Sequence, residues 1–325
     1  MTLLRLSVVS LCAAITTLAA LSSTSYAQQK PRPRIGVILP QSSSLEQGLR
    51  DQLSARGFVD GTNVELAWHH YNGWDASMRT VAAELVRSGP DLIVVFGTPP
   101  ARTVLDVTKT IPVVFAAGDP VATGLVSSLS RPGKNATGAS VNAVELSAKL
   151  LDLVVQLVPG ARRIVAVRNP SNPLSLQMVD QVQDLARSLG VKILILDADN
   201  ADALVRGLVR INKKKADAIL IPPDLVFQIE KERIVRAVRA TALPAIYQDQ
   251  VFSQVGGLVC YGPDQAEITH SVVTLVEKIL NGANPAELPV EQVSKLRLWV
   301  NLRTAKDMRI AIPQSILARA DEVIK

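Results

Sequence analysis

Short apolar runs alternate with longer helical stretches through most of the chain, and this alternation limits the possible folds more than any other feature. The run Ile35–Leu39 has the character of a buried strand. The stretch after it repeats leucine at helical spacing, at Leu45, Leu49 and Leu53, before Gly57 ends it. Such an alternation predicts parallel strands joined by crossover helices, which form a doubly wound α/β sheet.

The pattern occurs twice, so we expect two doubly wound, Rossmann-like α/β lobes of similar build. The predicted strands are 35–39, 64–68, 91–96 and 113–115 in the first lobe, and 163–167, 192–196, 218–221, 245–247 and 257–260 in the second. The first lobe is predicted over residues 34–141 and the second over 142–264. Several chain crossings between the two lobes would form a hinge beside a cleft.

The C-terminal segment 265–325 is predicted to return and complete the first lobe. It contains a helical pattern over 265–280 and an alternating stretch, Lys295–Val300, which is typical of an exposed strand. An amphipathic pattern from Pro313 toward Ile324 predicts a closing helix.

The first 27 residues have the pattern of an export signal. Arg5 precedes an apolar run from Leu6 to about Leu21, and Ser25-Tyr26-Ala27 offers the small-x-small pattern that signal peptidase cleaves. The run is too short and too polar for a typical membrane span. We therefore expect a periplasmic protein that begins after Ala27; the alternative is an N-terminal anchor that is never cut.

Composition excludes several classes of function. The net charge is +6, but the longest basic run, Lys213–Lys215, has no interleaved aromatic residues, which argues against nucleic-acid binding. Beyond the signal, Cys260 is the only cysteine, so no internal disulfide can form. His69 and His70 form the only tight histidine pair, and neighbours on a strand point to opposite faces. We expect no metal and no cofactor.

Candidate site residues come from the segments that follow the predicted strands, because ligands of open parallel sheets bind beyond the carboxyl ends of the strands. These segments are rich in Ser, Thr, Asn, Asp, Pro and Gly. The candidate ligand-binding residues are Gln41, Ser42, Thr98, Pro99, Asp119, Asn169, Asn172, Asp224, Tyr247 and Asp249.

Two kinds of contact are predicted from these residues. Helix N-termini favour anions, and Gly97–Pro100 is the best such segment: Thr98 would cap the helix or donate its hydroxyl to a bound anion. Asp224 or Asp249 would hold a cationic group. Ordinary capping and turn chemistry is the alternative for any one of these segments, and Asp119-Pro120 is equally well explained as the start of a turn.

Longer stretches of the chain resemble one known family. They include Ile111–Phe115, Gly118–Val121, Gly124–Gly133, Asn135–Gly138, Asn169–Pro173, Pro244–Tyr247 and the tail from Ile312 to Ile324. In this order they resemble the substrate-binding proteins of ABC transporters, including tryptophan-type binders of aromatic amino acids. No single motif is unique, but their order and coverage are specific.

The resemblance implies a type I periplasmic-binding-protein fold that captures a small solute and passes it to the transmembrane subunits of an ABC permease. We expect a monomer and a small polar solute such as an amino acid or a derivative of one. The resemblance places Thr98, Asn172, Asp224, Tyr247 and Asp249 at the cleft. The segment Gln248-Asp249-Gln250 departs from the aromatic–acidic–basic pattern that is more frequent in this family. The ligand therefore need not be an aromatic amino acid.

Two other functions remain compatible with the sequence. One is an exported α/β enzyme that uses the same cleft, although no obvious acid–base pair is present. The other is a sensory ligand-binding module that acts on a membrane receptor, since fold does not determine function. A solute-binding protein that is not an enzyme is the leading hypothesis.

Overall fold

The computed structural model describes residues 32–41, 45–71, 76–141 and 143–325, so the predicted export signal lies outside the described residues. The strands are β1 (Arg34–Pro40), β2 (Glu65–Tyr71), β3 (Leu92–Phe96), β4 (Val113–Gly118), β5 (Ala136–Val141), β6 (Arg163–Arg168), β7 (Lys192–Asp197), β8 (Ala218–Ile221), β9 (Ala245–Tyr247), β10 (Val259–Pro263), β11 (Glu291–Val293), β12 (Leu296–Asn301) and β13 (Glu322–Ile324). The helices are α1 (Leu45–Ala55), α2 (Ala76–Arg87), α3 (Thr98–Val107), α4 (Ala143–Leu157), α5 (Pro173–Ser188), α6 (Ala201–Leu208), α7 (Leu225–Ile229), α8 (Lys231–Ala240), α9 (Val251–Gln254), α10 (Gln265–Leu280), α11 (Leu302–Met308) and α12 (Gln314–Leu317).

The first sheet has the strand order β11-β5-β4-β3-β1-β2, and all its pairings are parallel. Helices α1 and α10 pack their apolar side chains on one face of this sheet, and α2 and α3 pack on the other. Strand β3 is buried at every position because helices cover both of its faces. This is the doubly wound arrangement that the alternating pattern predicts.

The second sheet has the order β13-β12-β10-β9-β8-β6-β7 and is parallel except where β10 meets β12. Helices α6 and α8 lie on one face, and α4 and α5 lie on the other. The predicted fold class, two α/β lobes each built on a largely parallel sheet, is therefore confirmed. Among the described helices, none combines the length and the apolar character that a membrane crossing requires.

The chain passes between the sheets after β5, after β10 and after β11. The last two crossings are bonded to each other: the Asp264 amide donates to the Lys295 carbonyl at 3.0 Å, and the Lys295 ammonium lies 3.2 Å from the Asp264 carboxylate. Glu267 also accepts a hydrogen bond from the Lys295 amide at 3.0 Å. These contacts hold the two connecting segments that follow β10 and β11 against each other.

The C-terminal segment differs from its prediction. Helix α10 and strand β11 join the first sheet, but β12 pairs with β10 and β13 pairs with β12, so residues 296–324 belong to the second sheet. The expectation that all of 265–325 completes the first lobe is wrong for that part. The prediction of an exposed strand is also wrong, because Trp299 and Val300 are 1% and 0% exposed in the interior of the sheet.

The predicted closing helix from Pro313 to Ile324 is wrong as well. Helix α12 ends at Leu317, and the chain then extends into β13. Asp321 explains this change: its carboxylate accepts a hydrogen bond from the Leu298 amide at 2.7 Å, and its own amide donates to the Leu298 carbonyl. Pairing with β12 overrides the local helical pattern.

One glycine in the first sheet gives a test of this packing. Gly138 of β5 lies opposite Phe115 of β4, and a Cβ at Gly138 would stand 2.1 Å from the Phe115 carbonyl oxygen. Because backbone atoms must move to make room, Gly138→Ala is expected to cost about 1–3 kcal/mol in the free energy of unfolding. Urea unfolding monitored by circular dichroism measures this loss.

Gly48→Ala is the matched control. Gly48 lies within α1, and an added Cβ would find its nearest neighbour 4.0 Å away, at the Thr269 hydroxyl. This substitution is expected to raise stability by about 0.5–1 kcal/mol, since alanine loses less backbone entropy in a helix. A Gly138→Ala variant as stable as the wild type would contradict the packing described for β4 and β5.

Candidate functional site

A cavity of about 140 Å³ lies between the two lobes, at the carboxyl ends of both sets of parallel strands. The first sheet and its helices contribute Leu45, Phe96, Gly97, Thr98, Pro99, Ala116, Ala117, Gly118, Val141, Gln265 and Ile268. The second lobe contributes Asn172, Leu174, Pro223, Asp224, Leu225, Gln228, Gln248, Asp249 and Pro263. A dry cavity of about 150 Å³ is known to hold benzene, so this space is on the scale of an aromatic ring.

Five of the predicted site residues line this cavity: Thr98, Pro99, Asn172, Asp224 and Asp249. They come from four separate strand ends. These segments meet at one cavity because parallel strands bring the segments after them to one edge of the sheet.

Of the other five predicted site residues, Ser42 lies outside the described residues. The remaining four do not line the cavity. Gln41 is exposed, and its amide donates to the Tyr71 carbonyl. Asp119 has a φ of 37° and accepts a hydrogen bond from the Ala122 amide at 3.1 Å, as expected for the start of a turn. Tyr247 is 1% exposed and stacks on Phe252 in the core of the second lobe.

Asn169 belongs to a second layer behind the cavity wall. It is fully buried, and its side-chain amide donates to the Asp224 carboxylate at 2.8 Å. Asn172 donates to the same oxygen at 3.0 Å, and the Val226 amide donates to the other oxygen at 3.0 Å. Asp224 caps helix α7 in this way, and the three donors hold its carboxylate in one orientation at the cavity wall.

Asp249 presents a second carboxylate to the cavity. It accepts hydrogen bonds from the Val251 amide at 2.9 Å, from the Gln265 side chain at 3.3 Å and from the Gln228 side chain. Burial among protein atoms raises the pKa of Asp249 to about 6, although the Val251 and Gln265 hydrogen bonds and the charge of Lys231 act in the opposite direction. Near neutral pH the ionised Asp249 carboxylate is therefore less well stabilised by the surrounding protein than it would be by water.

The N-terminus of helix α3 is a weaker anion site than predicted. Pro99 and Pro100 occupy its first turn and have no N–H, so the Thr98 amide is the one backbone donor before Ala101, whose amide bonds to the Gly97 carbonyl. The Thr98 hydroxyl donates to the Gly118 carbonyl and accepts from the Gly118 amide, each at 3.2 Å. The prediction that Thr98 caps the helix is wrong, because Gly97 is the N-cap residue.

The lining also contains candidate residues that the sequence pattern did not predict. Gln228 and Gln265 lie on helices α7 and α10 rather than directly after strands, so nothing in the pattern marked them. Gln248 stood in a segment that followed a predicted strand but carried no feature that separated it from its neighbours. Its carboxamide is buried, and among the described residues neither its oxygen nor its nitrogen has a hydrogen-bond partner.

The charged side chains of the described cavity lining are all negative. Among the described residues that line the cavity, Asp224 and Asp249 supply carboxylates, none is Lys, Arg or His, and most of the others are apolar. No group of three His, Cys, Asp or Glu side chains that could hold a metal ion occurs among the described residues. The arrangement suits a ligand with a cationic group attached to an apolar body.

The two lobes touch each other beside the cavity. A Cβ at Gly118 of β4 would stand 2.3 Å from a Leu174 methyl group of α5, and a Cβ at Gly97 would stand 2.4 Å from a Leu225 methyl group of α7. Leu225 also packs against the apolar cluster of the first lobe. Each contact pairs a glycine of one lobe with a leucine of the other, which allows close approach.

Comparisons with known proteins agree with this geometry. A family model described as "ABC transporter substrate binding protein" matches residues 37–324. A tyrosine-binding protein of Clostridioides difficile (strain R20291) is 26% identical over 271 residues, which cover 82% of this chain and 77% of that protein.

Two solved structures are also similar. An ABC domain from Streptococcus pneumonia in complex with L-Trp has a TM-score of 0.82 at 28% identity, covering 90% of this chain and 100% of that chain. A conserved domain protein from Vibrio cholerae O1 biovar El Tor has a TM-score of 0.84 at 28% identity, covering 90% and 99%.

Proposed function

Because this chain belongs to the family of ABC transporter substrate-binding proteins, we propose that it captures an amino acid with a ring-bearing side chain between its lobes and delivers it to a membrane permease. The fold is that of type I periplasmic binding proteins, and the family and the relatives are binding proteins rather than enzymes. The observation that carries the proposal is a cavity between two lobes whose walls combine two carboxylates with an apolar surface.

The chemistry of the lining supports this class of ligand. An α-ammonium group would pair with the Asp249 carboxylate, because burial raises the pKa of this carboxyl and no cationic residue stands among the described lining residues. Phe96, Leu45, Leu174 and Ile268 would surround the side chain of the ligand. The names of two relatives, which refer to tyrosine and to L-Trp, support a ring on that side chain.

Capture would proceed by a shift between open and closed forms. In the open form the cleft admits solvent and ligand, and in the closed form residues of both lobes contact the ligand. The contacts of Gly118 with Leu174 and of Gly97 with Leu225 support this proposal, because separation of the lobes would break them. The closed surface would then dock on the transmembrane subunits of the permease.

The place of action would be the periplasm. The predicted export signal over residues 1–27 supports this proposal, as does the extracytoplasmic location that is typical of the family. Release of the mature chain after Ala27 would leave the two lobes free to exchange ligand with the surrounding medium.

Thermal unfolding against a panel of solutes tests the function. Ligands that bind the native state stabilise it by an amount that grows with the logarithm of their concentration divided by Kd, about 2.7 kcal/mol at a hundredfold excess over Kd, and so raise the unfolding midpoint. We expect L-tyrosine, L-tryptophan or L-phenylalanine to raise the midpoint. L-glutamate, which would bring an extra carboxylate beside Asp224 and Asp249, serves as the control and should leave it unchanged. No shift with any of the three aromatic amino acids would contradict the proposed ligand class.

A further inference from the structure

Gln248 occupies an unusual position in the cavity wall. It directly follows β9, where its amide donates to the Ile221 carbonyl at 2.9 Å, and the residue is 2% exposed. The backbone is therefore fixed by the sheet while the residue lines the cavity. Neither Oε1 nor Nε2 has a hydrogen-bond partner within the part of the chain that the structure describes.

The three other side-chain amides among the described lining residues form hydrogen bonds. Asn172 donates to Asp224, and Gln228 and Gln265 donate to Asp249. Gln248 alone among these four amides combines burial with two unpaired polar atoms. A buried amide without partners costs free energy, because the hydrogen bonds it made to water in the open cleft are not replaced. The closed arrangement thus requires a partner that supplies one donor and one acceptor.

The charges around Gln248 identify the chemistry of that partner. A bare carboxylate would be repelled by Asp224 and Asp249, and none of the lining residues that the structure describes is a Lys, Arg or His that would offset the repulsion. A bare amine would satisfy Oε1 but leave the Nε2 donor unpaired. The zwitterionic head of an α-amino acid offers both groups on one carbon atom, so that one carboxamide can reach both.

We propose that Gln248 is the specificity-determining residue for the α-amino-acid head group: Nε2 donates to the ligand carboxylate, and Oε1 accepts from the ammonium group that Asp249 neutralises. This inference rests on the proposed function and adds to it the residue that selects amino acids over the corresponding amines. It also links closure to the ligand, because the bound head group would pair both atoms of the buried carboxamide.

The experiment compares amino acids with amines that lack only the carboxylate. Isothermal titration calorimetry measures the Kd of each ligand for the wild type and for Gln248→Met. The Kd of L-tyrosine is compared with that of tyramine, and the Kd of L-tryptophan with that of tryptamine. Methionine keeps the length and approximate volume of glutamine but makes no comparable hydrogen bonds. Gln254→Met is the matched control, because Gln254 is exposed at the end of α9 and does not line the cavity.

The expected result is a selective loss. Gln248→Met should weaken binding of the amino acid at least about tenfold more than binding of the matching amine, which corresponds to the loss of one charge-assisted hydrogen bond. Gln254→Met should change neither affinity. Gln248→Glu should reverse the preference, because it replaces the Nε2 donor with a further carboxylate and favours the amine.

The contrary results distinguish a wrong role for Gln248 from a wrong proposed function. Equal losses for amino acid and amine would overturn the assignment of Gln248, as would an unchanged affinity in a Gln248→Met variant that unfolds at the wild-type temperature. A larger Gln248→Met loss for L-tyrosine than for L-phenylalanine would show that Gln248 binds the ring hydroxyl instead, and would also overturn the proposal. If the wild type binds none of these amino acids, the proposed function fails and not only the role of Gln248.

Discussion

Replacing Asp249 with asparagine is expected to weaken the binding of aromatic amino acids at least about 25-fold. The substitution keeps the size of the side chain and an acceptor for the Val251 amide but removes the carboxylate that would pair with the ligand ammonium. Loss of one partner from a buried charge pair costs about 2–5 kcal/mol, because the remaining charge is left without compensation, and each 1.4 kcal/mol is about tenfold in Kd. Isothermal titration calorimetry with the amino acid that gives the largest thermal shift measures the effect.

Asp119→Asn is the control for this experiment. Asp119 follows a strand of the first lobe as Asp249 follows one of the second, but its carboxylate accepts a bond in a local turn and it is not among the described residues that line the cavity. Asparagine also tolerates its left-handed φ of 37°. The affinity of this variant should stay within about twofold of the wild type. Equal losses in both variants would contradict a specific role for Asp249.

The same carboxyl group predicts how affinity depends on pH. Since the pKa of Asp249 is raised to about 6, the folded protein holds this proton more tightly than the unfolded chain does. The stability that protonation contributes is complete below the ordinary value of 3.8 and is lost as the pH rises through about 6. A cationic ligand favours the ionised form and must displace the proton at low pH. Wild-type affinity should therefore fall about tenfold between about pH 7.5 and pH 5, whereas Asp249→Asn should show no such dependence.

Replacing Gly118 with alanine is expected to weaken ligand binding between about tenfold and a hundredfold by obstructing closure. The added Cβ would stand 2.3 Å from Leu174 Cδ2, 3.1 Å from Cδ1 and 3.3 Å from Cγ, so a change in one methyl position does not relieve all three contacts. Leu174 is 7% exposed and packs against Met178, which limits its movement. Overpacking of this kind costs about 1–3 kcal/mol, and here the cost applies only to the arrangement in which the lobes meet.

A second substitution separates obstruction from damage to the first lobe. In the Gly118→Ala background, Leu174→Ala removes the methyl groups that the new Cβ would meet, so part of the lost affinity should return. The unfolding temperature of the ligand-free Gly118→Ala variant should stay close to that of the wild type, because an open form has no such contact. Wild-type affinity in Gly118→Ala, or no recovery in the double variant, would contradict the closure that these contacts support.

The predicted strands were most accurate where the local signal was strong. Strands such as β1, β3 and β8 are covered on both faces, and their apolar runs identified them within one or two residues. Strand β5 was missed because its sequence, Ala136–Val141, has small and polar residues. Those small residues let β5 approach Phe115 closely, which is a property of the neighbouring strand and leaves no periodic signal in β5 itself.

The candidate site was predicted only in part for a similar reason. Residues that follow strands, such as Thr98, Asn172 and Asp224, could be found because the rule for parallel sheets places them at one edge. Gln228 and Gln265 reach the cavity from helices, and their positions depend on how two lobes pack. Gln265 contacts Asp249 across the connection between the lobes, a relation that no local spacing reveals.

By itself, the sequence determined the two α/β lobes and most of their strands along the chain, and it predicted the sheet edges at which a ligand would bind. These follow from local periodicity, since a buried strand and an amphipathic helix each carry their own pattern. Only the tertiary structure decided which lobe receives the C-terminal strands, which glycines meet leucines between the lobes and which amide is left unpaired in the cavity. Those outcomes depend on contacts between residues far apart in the chain, where packing and hydrogen bonding outweigh local preference.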